Sequence, residues 1–260
     1  QNTVEKPAVA ERALSKVVMN KSEFECYLFS EAYWTRYLDM LARNRYSTFV
    51  LIFGYGSAGY FEPPYPFLLD VEGFPEVRVV GITPEERQRN LDMLNKIVRM
   101  AHDRGLSFTL GIWTHIHRRV REPTPGVVWG LTDDNLIPYT RAALEKFLKL
   151  VPDLDAIQFR VHTESSVSLP QQIPFWNTVL RVIKDSGKDI RVDMRVKGFT
   201  DDMIDAALAS GVRIRLATKY WGEQMGLPFH PTHLTGRDQF RRRHGYADLL
   251  RYPRRYKMHY

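Results

Sequence analysis

Three segments in the second half of the chain alternate apolar and polar residues. Over 155–164, Ile157, Phe159 and Val161 oppose Gln158, Arg160, His162 and Glu164. Over 189–198, Ile190, Val192, Met194 and Val196 oppose Arg191, Asp193, Arg195 and Lys197. Over 211–223, Val212, Ile214 and Leu216 oppose Arg213, Arg215, Lys219 and, past the end, Glu223. Period two predicts strands with one apolar and one ionic face. Segments 13–20, 47–54 and 106–113 add three more strands, and 255–260 the start of a seventh. Helical spacing recurs between them. Tyr33, Trp34, Tyr37, Leu38 and Leu41 share a stripe in a helix expected over 23–45. Leu91, Leu94, Ile97, Val98 and Ala101 share another, in a helix that opens at Thr83-Pro84-Glu85-Glu86 and ends at Gly105. Segments 134–151, 173–187 and 200–211 read as further helices.

Strands joined by helices pair in parallel with right-handed crossovers, which leaves an open doubly wound sheet or a closed barrel. A sheet covered on both sides by helices is apolar on both faces, so ionic faces on sequential strands need a lumen. The expected class is therefore α/β, a (β/α)8 TIM barrel. No G-x-G-x-x-G run follows any strand. One catalytic domain over 1–260 is expected, without strand eight, as in an excerpt of a longer chain. The stretch 55–81, rich in Pro, Gly and aromatic residues, reads as a long irregular insertion of the kind that usually serves function.

Composition narrows the partners. The chain has 260 residues, 44% hydrophobic and 26% charged, with a formal net charge of +7, enough for one barrel core. Arg241, Arg242 and Arg243 form the tightest basic run, which reads as a solvated helix face. Much of the positive charge lies near the C-terminus and the rest is spread along strands and helices; with basic residues sitting inside strands, nucleic acid ranks last among partners and an acidic small substrate first. Cys26 is the single cysteine, which excludes an intramolecular disulfide or thiolate cluster. No apolar run reaches the roughly 18 residues of a membrane span. The polar lead from Gln1 leans toward a secreted or periplasmic origin, and no cofactor is called for.

In a barrel, chemistry sits where strands end. Those ends supply Trp113, His115 and His117, then His162 and Glu164, then Asp193 and Lys197, then Lys219, Trp221 and Glu223. Two carboxyl groups on one cavity are what glycosidic hydrolysis needs, one as acid and one as base or nucleophile. Glu164, Glu223 and Asp193 are the candidates; Asp193, deep among Arg191, Arg195 and Lys197, also reads as an ion-pair partner. Arg160, Arg195, Lys197 and Lys219, with His115, His117 and His162, could bind an anionic substituent. Trp113, Trp221 and the aromatics of 55–67 could stack on sugar rings. Two other readings stay open. One is a carbohydrate-binding barrel without catalysis; the other is a metal-dependent hydrolase using His115 and His117, which alternate along an extended segment.

With those residues in hand, the chain resembles glycoside hydrolases of the α-glucuronidase type, family 67 and relatives. NRYSTFVLIFG and AHDRGLSFTLGIW look like the family's second and third βα units, and PDLDAIQFRVHTES like its fourth strand. The resemblance spans roughly residues 14–223 and implies the acid role for Glu164, base roles for Asp193 and Glu223, and inversion. Ser165 stands where the family has glycine, and segments 63–82 and 219–233 have no counterpart. This suggests a divergent branch acting on an acidic glycan, uronic or sulfated.

Overall fold

The computed structural model describes residues 7–18, 21–54, 60–118, 120–161, 165–195 and 200–217. In chain order its strands are β1 (Ala13–Val17), β2 (Thr48–Phe53), β3 (Arg78–Val79), β4 (Ser107–Ile112), β5 (Val128–Trp129), β6 (Ala156–Arg160), β7 (Arg191–Arg195) and β8 (Ile214–Ala217). Six of them form one sheet in the order β1-β2-β4-β6-β7-β8, and β3 with β5 makes a separate pair. Every neighbouring pair in the large sheet is parallel. Between its strands run α1 (Lys21–Leu28), α2 (Glu31–Arg43), α3 (Tyr65–Leu68), α4 (Pro84–His102), α5 (Leu136–Leu150), α6 (Gln172–Asp185) and α7 (Asp201–Ala209). This is the α/β barrel order expected from the pattern. The seventh strand expected at 255–260 lies outside the described residues.

The two faces of the sheet differ as the alternation requires. Phe49, Leu51 and Phe53 of β2 join Phe108, Leu110 and Ile112 of β4 and Ile157 and Phe159 of β6 in the large core beneath the helices. Val50 and Ile52 point the other way, into a small cluster with Trp113 and Val17. That second face is a lumen because the sheet curls. Glu11, two residues ahead of edge strand β1, pairs with Arg215 on opposite edge strand β8 and lies 3.2 Å from Arg191 of β7. Gly111 lets β2 and β4 approach: a Cβ there would lie 2.7 Å from Ile52 Cγ1.

Two expectations change. The helix expected over 23–45 is two helices, because the Ser30 side chain accepts from the Tyr33 amide and starts α2 afresh. The irregular segment 60–81 is tightly packed. It holds α3 and β3, and β3 pairs antiparallel with β5. Tyr60, Phe61, Tyr65 and Phe67 are all buried, and Phe61 stacks on Phe67 at 4.6 Å and meets Phe24 edge-on. Those rings form a core beside β2. The start of α4 is as read: Thr83 and Glu86 form a reciprocal capping box.

Candidate active site

The lumen is layered by charge. Its lower layer centres on Asp193, 1% exposed in the middle of β7. One carboxylate oxygen accepts from Arg191 Nε at 2.8 Å; the other accepts from Arg191 Nη2 at 3.0 Å and from Arg215. Glu11 holds the far side of both guanidiniums. A buried carboxylate requires such partners, and here both oxygens face cations. Asp193 also sits two residues short of the end of β7. This geometry is that of a structural ion network, which accounts for three of the alternating charges in the sequence. Arg213 does not join it: it lies ahead of β8, its side chain is exposed, and it lies 3.3 Å from Asp189.

The upper layer lies at the strand ends. Arg160 and Arg195 are the last residues of β6 and β7 and are register partners. Both guanidiniums lie over the Trp113 indole, with Arg195 Cζ 4.3 Å and Arg160 Cζ 5.2 Å from the ring centroid. The indole Nε1 donates to Gln158 Oε1 at 3.1 Å, and Val50 and Ile52 pack on the same residue. The Trp113 amide donates to Phe53 O, continuing the ladder just past β4. The expected grouping of Trp113, Arg160 and Arg195 is therefore realised in space, with one change of role. The indole face is occupied by cations through its quadrupole, so Trp113 carries arginines in place of a sugar ring.

The two histidines diverge. His115 is 2% exposed and boxed by Phe159, Phe175 and Trp176, with ring centroids 5.8, 4.8 and 5.2 Å away. Its ring lies in the layer between sheet and α6, so it has no lumen face for a substrate. The reason is local: β4 ends at Ile112, and the chain beyond leaves the sheet, so strand alternation no longer predicts direction. Neither ring nitrogen of His115 has a hydrogen-bond partner among the described residues. Burial drives its pKa down to about 3. His117 instead faces Glu62, with Nε2 3.6 Å from Oε2. The two imidazoles thus belong to different surroundings, and no group of three metal-ligating side chains occurs among the described residues.

Glu62 is a buried acid that neither alternation nor strand ends point to. It is 1% exposed, its Cγ lies 3.0 Å from the position a Cβ on Gly54 would take at the end of β2, and Thr114 Oγ1 lies 3.5 Å from its carboxylate. Its signal in the sequence is a lone acid in the apolar run FEPPYPFLL. Glu164, Glu223, His162, Lys197, Lys219 and Trp221 lie outside the described residues.

The chain matches no protein-family model and no curated protein. Solved structures do resemble it. A GH138 enzyme targeting pectin rhamnogalacturonan II superposes with a TM-score of 0.60 at 20% identity, over 84% of this chain and 25% of that one. Dispersin B superposes with a TM-score of 0.52 at 9% identity, over 84% of this chain and 67% of that one. This chain thus spans about a quarter of the length of the GH138 enzyme. The likeness is one of fold, and it establishes the parallel α/β barrel architecture.

Proposed function

We propose that the chain is the barrel of a glycoside hydrolase acting on an acidic carbohydrate, uronic or sulfated. The observation that carries this reading is the pair of guanidiniums laid on Trp113 at the C-terminal rim of the lumen. Two arginines on adjacent strand ends can grip one carboxylate or sulfate through parallel N–H donors. The rim of such a barrel is where catalytic groups gather. The GH138 enzyme that shares the fold targets a pectin, which supports a carbohydrate substrate here.

Glu164 continues the inward phase of Gln158 and Arg160 along the sequence and serves as the acid. Glu223 serves as the base, since Asp193 is committed to Arg191 and Arg215. Inversion follows from the family resemblance and requires carboxyl groups about 6.5–9.5 Å apart, against about 5–5.5 Å for retention. The test is hydrolysis of aryl uronides and sulfated aryl glycosides by the full chain. Glu164→Gln should lower kcat by about 10²–10⁴-fold, and Arg160→Met or Arg195→Met should raise KM for anionic but not neutral glycosides. Unchanged turnover in Glu164→Gln would refute the assignment. Binding of acidic oligosaccharides without turnover would convert it to a binding barrel.

A further inference from the structure

The turn that follows β6 is held by a side chain from a different loop. Ser165 is fully buried, and its carbonyl accepts from the His115 amide at 3.0 Å. Ser166 has φ of 67°, a left-handed conformation that is costly for a residue with a Cβ. Its carbonyl accepts from Arg118 Nε at 2.6 Å. The other end of that guanidinium grips both carboxylate oxygens of Asp133. Asp133 in turn is tied back to the same region, its carbonyl accepting from Gln171 Nε2 at 2.6 Å. Gln172 Nε2 closes the turn from the far side by donating to Val167 O at 2.7 Å.

An exposed ion pair such as Arg118–Asp133, with side chains 39% and 49% exposed, adds little to stability. Its geometry does something else. The bidentate grip fixes the plane and direction of the guanidinium, and its Nε–H fixes where the Ser166 carbonyl points. We infer that Arg118 is a positioning residue for the turn after β6: it holds Ser165 and Ser166, the residues that follow the proposed acid Glu164 in sequence, in a strained path. This rests on Glu164 being the proton donor. A donor displaced by about 1 Å protonates the leaving oxygen poorly while binding is retained, so the signature belongs to kcat and to leaving-group chemistry.

The experiment compares wild type, Arg118→Ala, Arg118→Lys and Asp133→Asn in the full chain. Hydrogen exchange over 165–168 should quicken at least about tenfold in Arg118→Ala. On a 4-methoxyphenyl uronide, whose leaving group needs protonation, kcat should fall at least about tenfold with KM within about twofold. On the matching 2,4-dinitrophenyl uronide, which departs without a proton, kcat should fall less than about twofold. Arg118→Lys should lie between, having charge but no fork. Asp133→Asn should reproduce the pattern in weaker form, which keeps the test decisive if Arg118→Ala does not fold. Unchanged exchange, or equal losses on both glycosides, would overturn the inference. A Glu164→Gln variant that loses activity while Arg118→Ala does not would overturn it alone. A Glu164→Gln variant as active as wild type, or a wild type inert on both glycosides, would remove the reading beneath it as well.

Discussion

Acidification should destabilise this fold through His115. Its ring is 2% exposed among Phe159, Phe175 and Trp176, and burial lowers its pKa from 6.5 to about 3. The folded state therefore refuses a proton that the unfolded chain accepts. Below pH 6.5 the unfolded state binds more protons, so stability falls as pH falls, by up to ~1.4 kcal/mol per pH unit, until about pH 3. Between pH 7 and pH 5 the loss attributable to this ring is about 2 kcal/mol, and by pH 4 about 3 kcal/mol. His115→Leu keeps the apolar box filled and removes the titrating ring. Urea denaturation of both proteins at pH 7, 5 and 4 reads the difference. The variant should be at least as stable at pH 7, since two buried nitrogens without partners among the described residues are lost. Its advantage should grow by about 2 kcal/mol on going to pH 5. Contributions from ionisable groups elsewhere are common to both proteins and cancel. Stability curves that run parallel from pH 7 to pH 4 would refute the assignment of a buried neutral His115.

Three further outcomes test the packing of the barrel. Asp193→Ala leaves Arg191 and Arg215 to share Glu11 alone in the lower lumen and should cost about 3 kcal/mol in denaturant unfolding; a loss below about 1 kcal/mol would mean the network is solvated. Gly111→Ala drives a Cβ into Ile52 at 2.7 Å from Cγ1 and 3.0 Å from Cα and should cost about 1–3 kcal/mol, recovered in part by Ile52→Ala. Thr83→Ala removes one arm of the capping box on α4 and should cost about 1 kcal/mol, read as a drop of about 2–4 °C in thermal midpoint.

Alternation announces β6, β7 and β8 because period two survives wherever a strand must present two different faces, one to the helices and one to the lumen. The same pattern places Gln158, Arg160, Asp193, Arg195 and Arg215 on one face, and the register pairs Gln158 with Asp193 and Arg160 with Arg195 across it. It does not separate the structural layer from the rim layer, since that depends on Glu11 reaching across from the far edge. Inference fails where strands stop. Alternation misplaces His115, which lies beyond the last ladder bond of β4 at the Trp113 amide, and Arg213, whose side chain turns to Asp189 although its carbonyl still accepts from the Val192 amide. It also fails at Ser30, because a serine that restarts a helix and one that continues it look alike until the Tyr33 amide is seen. The aromatic insertion misleads for a third reason. Composition marks rings such as Phe61 and Phe67 as valuable, but only packing tells a core from a platform.

The Glu11–Arg215 pair spans 204 residues of sequence, and that separation constrains the order of events when the chain is made. Loops of such length close late, after the local βα units that shorten the path between their ends. On a ribosome adding about 5–20 residues per second, the carboxylate of Glu11 waits roughly 10–40 s before its partner is synthesised. During that interval β1 can already pair with β2. β1 is thus made well before the residue that Glu11 meets, and the contact that joins them is electrostatic. Refolding should accordingly slow with added salt in its final phase, while the earlier apolar collapse does not.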